Sequence, residues 1–201
     1  PFQENAGLSV LSGNLGRAIM KTSALSQPYC KMKAPAVVFE DQYSFDAAFE
    51  AGELSKDCIV VVRFQGPAAL GMPELHRLTP PLGVLQDKGF KVALVTDGRM
   101  SGASGRVPAA IHVTPEAFTG GVIGKIHNGD IVEIDTITGE LILHVSEAEL
   151  AKRTQAKINL TLSHQGMGRE FFAGMRSTLT GAEEGACSLF VELDRLDSVS
   201  L

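Results

Sequence analysis

The 201-residue sequence has no tryptophan and only three cysteines, Cys30, Cys58 and Cys187. These thiols are far apart and odd in number, and no CxxC pair occurs. Neither a disulfide framework nor a zinc or iron–sulfur site built from this chain alone is expected, and a reducing cytoplasm is the compartment implied. No apolar run approaches the roughly 20 residues that a membrane-spanning helix needs, so no membrane partner is expected. No signal peptide is visible. A basic excess is missing too: 18 Lys and Arg face 23 Asp and Glu, for a net charge of −5. That balance argues against a nucleic-acid partner. An initiator methionine is also lacking, since the chain starts Pro1-Phe2-Gln3, and it reads as a piece of a longer protein.

What is present is ordinary globular composition, with 44% hydrophobic and 20% charged residues. That content excludes disorder as the main state. The length suits one large domain or two small ones, enough to bury a proper core. Glycine is abundant at 21 residues, which predicts many tight turns or close backbone approaches.

Residues 1–35 mix glycine, proline and short polar patches and read as a loop-rich opening segment. Short strands are predicted at 36–39, 58–64 and 90–96. The last two are near-continuous apolar runs, buried on both faces. A helix is predicted at 42–54, and further helical stretches at 73–78 and 81–88. Strand, helix, strand and loop in that order predict a parallel pair with a crossover. Strands are expected again at 120–126, 130–135 and 141–145, with Thr138-Gly139 as a hairpin turn. Ser146 with Glu149 three residues on forms a capping box for a helix to about 157. Another helix is predicted near 169–176. The pattern is mixed α/β with a substantial antiparallel part.

Ligands in α/β sheets sit beyond the carboxyl ends of strands. Ser101 lies there, after the second buried strand, between Gly98 and Gly102. Glycines let a backbone approach an anion, and a serine in that field can act as nucleophile or base. The same residues also make an ordinary turn. Glu74 holds the corresponding place after the first buried strand. It suits either a helix dipole or a hard metal ion. None of the five histidines forms an HxH or HxxxH pair. His112 and His144 fall in predicted strands and read as satisfied structural histidines. Residues 120–125, Gly-Gly-Val-Ile-Gly-Lys, are one residue short of a phosphate loop and lack its Ser/Thr.

Residues 95–105, Val-Thr-Asp-Gly-Arg-Met-Ser-Gly-Ala-Ser-Gly, resemble the serine loop of the dihydroxy-acid/6-phosphogluconate dehydratase family. The stretches 71–75, 112–117 and 129–135 match that family as well, in its order, across nearly the whole chain. Within the family, 63–67, 72–82 and 106–113 resemble the members that act on a phosphorylated sugar acid. Branched-chain members usually carry glutamate where Gln65 stands and a glycine-rich run in place of 68–70.

The resemblance implies a mixed α/β fold: a barrel-like β domain flanked by helices, similar to the swivelling β/β/α domain of aconitase-type enzymes. Residues 36–201 would be the C-terminal domain of a dehydratase about three times longer. The larger N-terminal domain, this chain's own partner, would hold the ligands of a [4Fe–4S] cluster and most of those of Mg²⁺. The active site would lie between the two domains. The implied reaction is loss of water from 6-phospho-D-gluconate to give 2-dehydro-3-deoxy-6-phosphogluconate, in the Entner–Doudoroff pathway. Ser101 matches the proposed catalytic base and Glu74 a glutamate that reaches magnesium. Gly98 and Gly102 would admit the substrate carboxylate. His76, Arg77, Arg99 and Arg106 are phosphate candidates by charge. The fragment alone would be inactive, and the full-length enzyme a cytoplasmic homodimer. A related dihydroxy-acid or sugar-acid dehydratase, or a non-catalytic module that kept the domain, are the competing expectations.

Overall fold

The computed structural model describes residues 7–100 and 105–189. Eight strands close into a barrel in the order β1-β2-β6-β5-β4-β3-β7-β8. They are β1 (Leu8–Gly13), β2 (Gly16–Lys21), β3 (Lys31–Phe39), β4 (Cys58–Val62), β5 (Val92–Thr96), β6 (Ala109–Thr114), β7 (Ile131–Asp135) and β8 (Glu140–Leu143). β3, β4, β5 and β6 run parallel to one another, and the remaining long pairings are antiparallel. A single parallel contact, Ser12 with Glu140, closes β1 onto β8.

The apolar runs 58–62 and 92–96 are buried at every position. Side chains alternate between faces of a strand, so each run serves two cores. Ile59, Val61, Ala93 and Val95 point into the barrel, beside Leu11, Met20, Met32, Ile134 and Leu141. Val60, Val62 and Leu94 face outward against Phe45 of helix α1 (Gln42–Glu50) and Leu82 and Leu85 of α3 (Thr79–Asp87). Asp41 caps α1 by accepting the Ser44 N–H at 2.8 Å. Between β4 and α3 lie the short helix α2 (Pro67–Leu70) and a 3₁₀ turn at His76–Leu78.

The parallel β4–β5 pair, the β7–β8 hairpin through Gly139 at φ +74°, and the Ser146 cap of α4 (Glu147–Lys152) match the sequence expectation. The helices expected at 42–54 and from Ser146 to about 157 end earlier, at Glu50 and Lys152, and the only helical turn in the stretch 73–78 is the 3₁₀ turn at His76–Leu78. Two further expectations differ in kind. The opening segment 1–35 is not mainly loop: β1 and β2 form a hairpin within it, and β3 starts at Lys31. In β1 only Leu11 is buried while Leu8 and Val10 face outward, and in β2 Ile19 is exposed between buried Ala18 and Met20, so neither strand shows a clean apolar–polar alternation. The strand expected at 120–126 is instead a 3₁₀ turn, Val122–Lys125. A Cβ at Gly121 would stand 1.8 Å from the Pro115 carbonyl oxygen, and one at Gly124 1.8 Å from the Gln155 amide nitrogen. The backbone is folded tightly against its neighbours there, not paired in a ladder. Beyond α4 come two short helices, α5 (Thr161–His164) and α6 (Ala173–Ser177). No described helix is long and apolar enough to cross a membrane.

Candidate active site

The carboxyl ends of β3, β4 and β5 open on one rim of the barrel. The turn after β5 begins with Asp97, which is fully buried. Its carboxylate accepts the backbone N–H groups of Phe64 (3.1 Å), Gln65 (2.8 Å) and Ala117 (2.9 Å). Burial pushes the Asp97 carboxyl above its usual range, and the three donors pull the other way. One side chain thus ties the ends of β4 and β5 to the segment after β6. Phe64 sits at φ +65° in this arrangement.

Glu116 extends the network. Its carboxylate accepts the N–H groups of Ala68 (2.8 Å) and Ala69 (3.3 Å) in the first turn of α2. Burial raises its pKa too, with the Asp97 charge adding to the effect. Gly66 is obligatory beside it, since a Cβ there would lie 2.1 Å from Glu116 Oε2. Gln65 donates its side-chain amide to the carbonyls of Glu40 (2.7 Å) and Arg63 (3.2 Å). A glutamate at 65 could donate to neither carbonyl.

Glu74 and Arg99 meet on this frame. They form an isolated parallel β-bridge, and Arg99 Nη1 lies 3.1 Å from Glu74 Oε2. Arg99 Nε also donates to the Met72 carbonyl at 2.8 Å. Glu74 and Arg99, singled out from sequence on separate loops, are therefore adjacent. Gly98 is buried, and both its backbone groups are used: its N–H donates to Thr96 Oγ1 (3.0 Å) and its carbonyl accepts the His112 N–H (2.9 Å). A Cβ there would stand 2.6 Å from Gln65 Cβ and 2.7 Å from Leu75 Cδ1. The visible role of Gly98 is close packing. Ser101 and Gly102 lie outside the described residues.

Of the charge-based candidates, His76 is exposed in its 3₁₀ turn. Arg77 pairs with Asp46 at 2.9 Å and lies over the Tyr43 ring. Arg106 pairs with Asp87. A cleft of about 440 Å³ is bordered by Met100 and Gly105, with Lys21, Ser23, Leu8 and Ile19 along it. Among the described residues no three His, Cys, Asp or Glu side chains could together hold a metal ion. Glu74 offers one carboxylate, not a complete site.

The histidines divide. His144 meets its expectation in part: Nε2 lies 2.7 Å from Glu133 Oε2, but the residue is exposed and follows the end of β8. His112 does not. Its imidazole has no hydrogen-bond partner among the described residues, and burial, then the nearby Arg99, lowers its pKa. Strand pattern alone gave no signal for this, because a histidine in an Ala-Ala-Ile-His-Val run looks like core. Asp97 and Glu116 were also missed as frame residues. Both lie within the stretches 95–105 and 112–117 that resemble the family, but nothing in those stretches showed that their carboxylates bind backbone N–H groups.

The family model for the C-terminal part of dihydroxy-acid/6-phosphogluconate dehydratases matches residues 1–186. Among curated relatives, the phosphogluconate dehydratase of Escherichia coli K12 is 60% identical over 186 residues, covering 92% of this chain and 31% of the relative. That of Pseudomonas aeruginosa is 55% identical over 194 residues, covering 96% and 32%. That of Helicobacter pylori is 47% identical over 199 residues, also covering 96% and 32%. The chain spans about a third of the length of the curated relatives it matches. It belongs to the dihydroxy-acid/6-phosphogluconate dehydratase family, to whose C-terminal part its barrel corresponds.

Proposed function

We propose that the full-length polypeptide carrying this domain removes water from 6-phospho-D-gluconate, yielding 2-dehydro-3-deoxy-6-phosphogluconate in the Entner–Doudoroff pathway of the cytoplasm. The observation that carries this reading is the Glu74–Arg99 bridge. It joins the loops beyond β4 and β5 at one rim, two residues before Ser101. Met100, the last described residue before Ser101, borders the cleft of about 440 Å³.

Ser101 is the base that takes the C2 proton. That proton is very weakly acidic, and its loss builds charge on the neighbouring carboxylate. Arg99 is the cation at the rim that faces this charge, with Gly98 and Gly102 shaping the backbone around it. His76 is left as the exposed candidate for the phosphate end, since Arg77 and Arg106 are paired with Asp46 and Asp87. The [4Fe–4S] cluster and Mg²⁺ that the reading calls for would be held mainly by the remainder of the polypeptide, and Glu74 would offer its carboxylate to the magnesium. When bound, they supply Lewis acidity. The remainder of the chain and a second copy in a homodimer are the partners. This domain alone is inactive.

Gln65 supports the phosphorylated sugar acid over a branched-chain dihydroxy acid. Its amide binds two carbonyls under the rim, so the loop differs in bonding from one built on glutamate. The test is an assay of the full-length protein, cluster reconstituted, on phosphorylated and unphosphorylated sugar acids and on a branched-chain dihydroxy acid. Turnover confined to 6-phosphogluconate is expected. Preference for either other class would overturn the substrate, and no turnover of any would favour a non-catalytic module.

A further inference from the structure

His112 is held in an unusual place. β2 and β6 are in register at Arg17–Thr114 and again at Ile19–Ile111. Three steps on β6 therefore match two on β2, and β6 carries one extra residue. His112 and Val113 together face Ala18. His112 itself is left-handed, at φ +57°, a conformation uncommon for residues other than glycine, though histidine enters it more readily than most. Its N–H donates to the Gly98 carbonyl at 2.9 Å, so the bulge is pinned to the Asp97–Arg99 turn. Bulges of this kind re-aim a side chain and gather next to active sites.

The re-aimed imidazole is half-buried and without a hydrogen-bond partner among the described residues. It opens on a cleft of about 260 Å³ lined also by Val10, Arg17, Ile19 and Glu183. The charged groups that face it are Arg99 from the β5 turn, Arg17 from β2 and Glu183 from the C-terminal segment. Arg17 and Glu183 are paired at 2.9 Å, and Arg99 is paired with Glu74. Among the described residues no carboxylate is bonded to the ring to orient it for a packing role. A left-handed backbone, a pinned bulge and a ring open to a cleft beside the Glu74–Arg99 rim fit a group kept for chemistry.

Resting on the dehydratase reading, we propose that His112 is the acid–base residue that turns the enol left by loss of water into the ketone. Loss of the C2 proton and the C3 hydroxyl leaves a C2=C3 double bond with a hydroxyl on C2. The imidazole accepts the proton of that hydroxyl. The O–H electron pair becomes the second bond of the C2 carbonyl, and the C2=C3 π pair takes a proton from the imidazolium to form a C3–H bond. One proton has moved from oxygen to C3, the histidine is neutral again, and no other reactant is consumed. Burial and Arg99 keep the ring neutral in the resting state, the form this sequence starts from.

The test is the full-length enzyme, cluster reconstituted, acting on 6-phospho-D-gluconate in D₂O, with NMR of C3 in the product. Wild type is expected to place deuterium on one face. His112→Asn is suited to the left-handed backbone and is expected to keep consuming substrate but to lose facial preference, because the enol escapes and ketonises in water. His112→Gly, which takes the same angle without strain, repeats the measurement if the asparagine variant does not fold. One-face labelling by the variant, two-face labelling by wild type, or a folded variant that no longer consumes substrate would each overturn the assignment. A wild-type protein that consumes no 6-phosphogluconate would overturn the dehydratase reading itself, a result seen before any variant is made.

Discussion

Asp97 and Glu116 between them hold five backbone N–H groups from three segments. Asp97→Asn turns one acceptor oxygen into an NH₂ that faces an N–H donor. It is expected to destabilise the 201-residue chain by about 1–3 kcal/mol, read from urea denaturation, and an unchanged midpoint would refute the clamp. A second residue-scale prediction concerns pH. The side-chain bond from Lys31 comes first in holding the Glu133 carboxyl at about 2, with His144 and Lys33 adding to it. A carboxyl lowered in the folded state contributes stability above its ordinary value of 4.5 that is lost as pH falls toward 2. Glu133→Gln is expected to flatten the acid side of the stability profile in that window, and a profile parallel to wild type would contradict this. At the rim, Glu74→Gln in the full-length enzyme is expected to weaken the magnesium dependence of turnover more than the melting temperature. An unaltered magnesium titration would remove Glu74 from the metal.

Elements carry the contrast between what was readable and what was not. β4 and β5 were legible because every side chain in them but Thr96 is apolar, a pattern that a strand buried on both faces requires. The β7–β8 hairpin and the α4 cap were legible from local turn and capping chemistry, which needs no tertiary information. β1 and β2 were not. They are half-exposed, with Ser12, Gly13, Arg17 and Lys21 on positions that pairing, not burial, keeps in the sheet. The candidate site divides the same way. Glu74 and Arg99 were visible as residues beyond strand ends, but their adjacency comes from the β4–β5 register. His112 was invisible because its bulge depends on a bond to a turn fourteen positions earlier in the chain. A matched pair of substitutions tests this level. Gly83 sits within α3 with nothing within 4 Å of an added Cβ, so Gly83→Ala is expected to stabilise by about 0.5–1 kcal/mol. Gly66→Ala would drive a Cβ into Glu116 and is expected to destabilise by about 1–3 kcal/mol through loss of the bonds to α2. Equal effects in thermal melts would refute the packing argument.

At the scale of the molecule, one closed barrel presents three strand-end loops on one rim, with helices α1 and α3 shielding one side. The outer faces of β1 and β2 keep Leu8, Val10 and Ile19 exposed. The chain is about a third of its relatives' length, and the dehydratase account assigns this rim to a shared site that the rest of the polypeptide completes. The most direct measurement is turnover of 6-phosphogluconate by the full-length enzyme bearing Ser101→Ala, alongside its circular dichroism and cluster absorbance. The account predicts unchanged folding and cluster content with most of the activity gone. Turnover close to that of the unaltered enzyme would contradict it.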